Sequence, residues 1–162
     1  MSARHLPALG RRGEGWVAGQ LLFVAAVFLS PLTGRAWAAG GWAVAGDAVG
    51  ATLLALGVSL LAWAARRLGS ALPPFPAPRQ QQGAVRTTGP YALVRHPMYT
   101  GAILIAAGWS LLFATALGLG LTVVLALFFA LKARREEVWL RERLDGYAAY
   151  CERTPRRLLP FL

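Results

Sequence analysis

Long apolar runs separated by polar, basic segments set the layout of the chain. The first run, Trp16–Thr33, is long enough to span a bilayer, which takes about 20 residues. The second extends from Trp42 to Ala65 and closes on Arg66-Arg67. A polar connection over 66–96 carries Pro73, Pro74, Pro76 and Pro78, then Gln80-Gln81-Gln82. Those prolines predict an extended or irregular segment at the interface. A third apolar stretch, Met98 to Leu131, exceeds the about 20 residues of one span and falls short of the about 40 of two. Gly118 and Gly120 offer a turn near its middle. The expected arrangement is a hairpin of two short helices, roughly 97–114 and 117–135, with one long tilted helix as the alternative.

Beyond Lys132 the pattern predicts an amphipathic helix that breaks near Gly146 and again at Pro155. Val138, Leu140, Leu144, Tyr147 and Tyr150 then face membrane or core, and Arg134, Arg135, Arg141 and Arg143 face headgroups or solvent. The expected fold is all-α: a multi-pass membrane bundle of about four transmembrane helices. Its last two spans form the short hairpin, and a cytosolic C-terminal amphipathic helix follows. Residues 1–162 read as one domain, with 1–65 supplying two spans and 66–162 the chemically marked region. Small residues at Gly46, Gly50 and Gly57 let another helix approach the second span closely. Asp47 belongs to the outer interface.

Composition supports the membrane assignment. The chain has 162 residues, 56% of them hydrophobic, and a mean hydropathy of +0.48. Its net charge of +10 sits beside the apolar runs rather than in a separate basic domain with interleaved aromatics. That pattern fits membrane surfaces and argues against nucleic acid. Of the 17 Lys and Arg residues, only Arg35 falls in a predicted outer loop, so the positive-inside rule puts both termini in the cytoplasm. The Ala, Leu, Arg and Gly bias is that of a high-GC bacterium, which places the chain in an inner membrane. A rival reading makes Ala36-Trp37-Ala38 a signal cleavage site. A single cysteine, Cys151, excludes an intrachain disulfide. The two histidines, His5 and His96, lie in unrelated contexts, so no metal set is expected.

Candidate chemistry gathers at Gly89-Pro90-Tyr91-Ala92-Leu93-Val94-Arg95-His96-Pro97-Met98-Tyr99-Thr100-Gly101. Proline disfavours helix in the residue before it and suits the first helical position, so a helix should begin at Pro97. Free first-turn amides beside Arg95 and His96 would make an anion site. Arg95 could clamp a carboxylate or phosphate, and His96 could donate to the same ligand or act as a base. The bland alternative is a basic membrane anchor. Glu136-Glu137 oppose the basic trend around Lys132, Arg134 and Arg135. Helical geometry puts Glu137 on the face of Ala133, Leu140 and Leu144, turned towards the packed side. There it could hold an ammonium or hydroxyl, or simply pair with Arg141.

These residues carry a resemblance. Thr88-Gly89-Pro90-Tyr91-x-x-Val94-Arg95-His96-Pro97-Met98-Tyr99-x-Gly101, then Glu136-Glu137-x-x-Leu140, Gly146-x-x-x-Tyr150 and Arg156-Arg157-Leu158-Leu159-Pro160 resemble the isoprenylcysteine carboxyl methyltransferase family and the related phospholipid N-methyltransferases. The resemblance implies an integral-membrane methyltransferase using S-adenosylmethionine, with S-adenosylhomocysteine as product. Tyr91, Arg95, His96, Pro97, Tyr99, Gly101 and Glu137 would line the cofactor pocket. His96, Glu136 and Glu137 would serve catalysis, and Tyr150 and Arg157 would support the tail. A bacterial source points to a small lipophilic carboxylate, thiol or amine, or a phospholipid headgroup, as acceptor taken from the bilayer. A reading of another class is a membrane scaffold or transporter subunit in which the motif only supports the fold.

Overall fold

The computed structural model describes residues 7, 9–10, 13–37, 41–69 and 85–158. The basic N-terminal residues Arg4, Arg11 and Arg12, the 73–78 proline segment, Gln80–Gln82 and Pro160 lie outside the described residues, as does Ala38. Helix α1, Glu14–Leu29, runs into a 3-10 turn at Ser30–Thr33, and α2 covers Gly41–Leu68. A second 3-10 turn, Gly89–Ala92, precedes α3 (Pro97–Leu112), α4 (Ala116–Arg143) and α5 (Tyr147–Arg153). Among the described residues there is no strand.

Among the described residues three helices are long and apolar enough to cross a membrane: Glu14–Thr33, Ala43–Leu68 and Ala116–Arg143. The expected third span, α3, has 16 residues, about 24 Å of helix against a hydrocarbon core of about 30 Å. Proline starts it as anticipated, at the first helical position after His96. The hairpin turn does not use Gly118. Ala114 makes it instead, with φ 50, and its carbonyl accepts a hydrogen bond from the Ala36 amide at 2.7 Å. Gly118 lies inside α4, where a Cβ would come within 2.6 Å of the hydroxyls of Ser30 and Ser110. Its place is a close crossing of α1, α3 and α4. The Thr115 hydroxyl caps α4 by accepting from the Gly118 amide at 3.2 Å.

The core joins Val27 of α1, Ile103 and Ala106 of α3, Leu125, Phe129 and Ala133 of α4, and Leu158 of the tail. Outward faces stay apolar: Leu22 of α1, Val44 of α2 and Leu127 of α4 are all exposed. Helices that are apolar on the side away from the core are what a lipid solvent covers.

Helix α2 packs antiparallel on α3 along a glycine seam. A Cβ on Gly50 would lie 2.9 Å from the Gly108 carbonyl oxygen, and one on Gly57 would lie 2.7 Å from that of Gly101. Bare backbones are needed at both levels because the opposing atoms are main chain and cannot swing away. Gly50 and Gly57 were legible as small-residue positions. Gly46 meets only ordinary contacts, Trp37 at 3.6 Å and Leu111 at 4.0 Å.

The seam predicts a contrast. Gly57→Val or Gly108→Val should destabilise the protein by about 1–3 kcal/mol through overpacking. Gly120→Ala, where a Cβ meets nothing within 4 Å, should be neutral or stabilising because alanine favours helix. Thermal unfolding in detergent checks this; equal melting temperatures for Gly57→Val and wild type would contradict the seam.

Candidate functional site

Three separated stretches meet at one end of the bundle: the 3-10 turn with the start of α3, the last turns of α4, and the tail after α5. The tail is tied to the α3 entry by backbone bonds. The Arg95 amide donates to the Arg156 carbonyl at 3.0 Å and the His96 amide to that of Arg157 at 2.9 Å. Thr100 Oγ1 donates to the Leu158 carbonyl, and Leu158 is buried in the core. Helix α5 is anchored from the other side by Tyr150, whose hydroxyl donates to the Tyr91 carbonyl at 2.7 Å. Tyr147, Tyr150 and Cys151 form a small core with Val85, Leu140 and Leu144. The amides of Arg95 and His96 are therefore engaged by tail carbonyls, while the first-turn amides of Tyr99 and Thr100 donate to the His96 carbonyl at 3.1 and 3.2 Å.

Glu137 is the hub. Its side chain is 4% exposed, on the packed face of α4 as helical spacing requires. Arg157 grips it with two bonds, Nε to Oε1 and Nη2 to Oε2, each 2.9 Å. Arg95 Nε lies 3.1 Å from Oε1, and His96 Nε2 lies 3.3 Å from the same oxygen. Pairing of Glu137 with Arg141 one turn on is thereby replaced by three long-range partners. Such a carboxylate is affordable only because its lone pairs are met by charged donors.

Glu136 faces a different set. It accepts from the Tyr99 hydroxyl at 2.7 Å and stands 3.7 Å from His96 Nδ1. His96 thus lies between two carboxylates. Tyr99 is stacked on His96 with ring centroids 5.4 Å apart and on Phe129 at 4.6 Å. One turn deeper on α4, Lys132 lies over the Tyr99 ring at 5.0 Å.

Burial first, and then the charge of Glu136, push the Tyr91 phenol up to about 12. Burial raises Tyr150 as well, so both remain neutral hydrogen-bonding groups. The hydrogen bonds to Glu137 raise Arg157 further above its ordinary value.

Most sequence-predicted site residues converge: Tyr91, Arg95, His96, Pro97, Tyr99, Glu136, Glu137, Tyr150 and Arg157. Gly101 does not. Its Cα faces α2, where a Cβ would meet the Gly57 carbonyl oxygen at 2.9 Å. Lys132, Gln20 and Thr100 escaped the sequence reading. The signal for Lys132 was a lysine within an apolar helix, one turn before Glu136. Gln20 and Thr100 carried none. Among the described residues no group of three or more His, Cys, Asp or Glu could hold a metal ion.

An all-helical bundle with membrane-length apolar helices and an ion cluster at one end defines the class of protein. The sequence profile of phospholipid methyltransferases matches residues 46–145, and the chain belongs to that family. It is also 31% identical over 84 residues to the Delta(14)-sterol reductase TM7SF2 of Mus musculus. That match covers 46% of this chain and 19% of the reductase, so the chain spans about a fifth of the length of that relative. No solved structure matches the chain.

Removing the Arg157 side chain should destabilise the fold by about 3 kcal/mol, since it leaves a buried carboxylate short of its bidentate partner. Tyr150→Phe should cost only about 1 kcal/mol, one hydrogen bond. Denaturant or thermal unfolding of both variants checks the order; a milder effect for Arg157→Ala than for Tyr150→Phe would contradict the hub.

Proposed function

We propose that the protein transfers a methyl group from S-adenosylmethionine to a lipophilic acceptor at the cytosolic membrane interface. The observation that carries this reading is the convergence of Arg95, His96, Tyr99, Glu136, Glu137 and Arg157 at one end of an apolar bundle, within a family of methyltransferases. The acceptor is a carboxylate, thiol or amine carried on an apolar body, in the manner of isoprenylcysteine or phospholipid substrates.

The residues fit the cosubstrate by their chemistry. S-adenosylmethionine supplies an electrophilic sulfonium methyl together with a carboxylate and an ammonium. Arg95 suits the carboxylate: its buried Nε is close to Glu137 yet has no well-directed hydrogen bond. Glu136 suits the ammonium, its side chain being 16% exposed and accepting its hydrogen bond from the neutral Tyr99 phenol. Tyr99 serves through its hydroxyl, because its ring is engaged by His96 and Phe129.

The two acids divide the work. Glu137 is committed to Arg95, His96 and Arg157 and holds the tail closed. It is a poor base there. Glu136, with His96 beside it, takes the proton when the acceptor is a neutral amine or phenol. A carboxylate or thiolate acceptor needs no base, and alignment with exclusion of water then supplies most of the rate.

A second reading rests on the similarity to a sterol reductase: the same fold end could act on a sterol-like lipid by reduction. Calorimetric titration of S-adenosylhomocysteine into detergent-purified protein separates the two. Binding by wild type, weakened at least about tenfold in Arg95→Ala, about 1.4 kcal/mol, is expected. His96→Ala should lower turnover more than it lowers this binding. No binding by well-folded wild type would favour the reductive or scaffold readings, and equal losses of binding and turnover in His96→Ala would remove its role in proton transfer.

A further inference from the structure

Lys132 is the buried charge that the reading above leaves without work. It is 4% exposed, lies inside the bundle between α1, α3 and α4, and sits one helical turn deeper than Glu136. Its ammonium donates to Gln20 Oε1 of α1 and lies over the Tyr99 ring. Among the described residues no carboxylate stands within ion-pair distance of it. An ammonium has three donors, and the described contacts give one of them an acceptor. Glu136, one turn on, attracts it at longer range while bonded to the Tyr99 hydroxyl, so burying the charge against a neutral amide and a ring remains costly unless a nearer anion completes the set.

The charge balance of the surroundings points the same way. Arg95, Arg157 and Lys132 contribute three cations, and Glu136 and Glu137 two carboxylates. A sulfonium-bearing cosubstrate adds to the surplus, so the missing partner is negative. At the depth of Lys132 the helices are apolar outward: Leu21 next to Gln20 is 61% exposed and Leu131 next to Lys132 is 42% exposed. A molecule with its anionic head at Lys132 and an apolar body along α1 and α4 satisfies both requirements.

We propose that Lys132 and Gln20 form the subsite for the head of the lipophilic substrate, and that this head carries a carboxylate or phosphate group. Lys132 neutralises the anion, and the Gln20 amide fixes the lysine's direction. The Lys132 ammonium also holds the Tyr99 ring from above, so a bound head lies beside the Tyr99–Glu136 pair. This assignment rests on the methyltransferase reading for what happens next, but the binding itself does not.

The test uses three C12 probes, dodecanoate, dodecyl phosphate and dodecanol, displacing a fluorescent fatty acid from the full chain in a neutral maltoside detergent. S-adenosylhomocysteine binding is measured in parallel. At least one anionic probe should bind about tenfold or more tighter than dodecanol, and Lys132→Met should erase that preference. Lys132→Arg should retain most of it, and Gln20→Leu should weaken it severalfold. S-adenosylhomocysteine affinity should stay within about twofold of wild type in each variant, which also reports an intact fold. The stronger of the two anionic probes tells a fatty-acid-like head from a lipid phosphate. Equal affinity for dodecanol and both anions, or a preference untouched by Lys132→Met, would overturn the subsite. Anion preference without any S-adenosylhomocysteine binding would leave the subsite standing and sink the methyltransferase reading instead.

Discussion

A single buried carboxylate, Glu137, governs how this end of the molecule is put together. A charge placed on the packed face of α4 has to be met from elsewhere in the chain, because its own helix presents neighbours such as Ala133 on that face. Arg95 and His96 arrive from the α3 entry and Arg157 from the tail. Meeting one charge therefore fixes the relative position of three segments distant in sequence. The backbone bonds from Arg95 and His96 to Arg156 and Arg157 follow the same alignment, and Leu158 continues it into the apolar core. Electrostatic need and hydrophobic burial act here on consecutive residues, Arg157 and Leu158, and together hold the tail.

The remainder of the bundle supplies a rigid base for that cluster. Bare glycine backbones lock α2 to α3, and small polar residues let α1, α3 and α4 cross closely at the opposite end, where the Ser110 and Thr122 hydroxyls meet at 3.4 Å and the Thr115 hydroxyl donates to the Ser30 carbonyl at 3.4 Å. Without a hydrophobic drive between helices in lipid, close backbone approach and such hydrogen bonds carry association. The ion cluster therefore sits on helices whose backbones approach closely. Among the described residues three buried nitrogens lack a well-directed bond, Arg95 Nε, Trp109 Nε1 and Arg135 Nε, and Arg95 is the one beside Glu137.

Much of this was legible in the sequence, for identifiable reasons. Proline chemistry marked the start of α3 at Pro97, hydropathy marked the long helices, and helical phase turned Glu137 inward. Other features were hidden by tertiary competition. Gly118 looked like a turn because glycine is permissive there, but the α3–α4 crossing needed its missing Cβ more than the hairpin did, and Ala114 took the left-handed conformation instead. Gly101 looked like part of the motif's ligand-facing side, whereas its helical phase turns it to α2. Nothing in the local pattern announces that tail carbonyls will reach the Arg95 and His96 amides. Lys132 was overshadowed by the more obvious pair of acids one turn later. Local rules read local structure; the partner of each polar group came from the fold.

The claim on which the rest depends is that Glu137 holds the tail and the α3 entry as one unit. Hydrogen exchange at the Arg95 and His96 amides, compared between wild type and Glu137→Gln, tests it most directly. If the carboxylate is the hub, both amides are protected in wild type and lose about tenfold or more of that protection together in the variant, the equivalent of at least about 1.4 kcal/mol. Protection unchanged by the substitution would mean that backbone pairing and Leu158 hold the tail alone, and the central role given to Glu137 would be wrong.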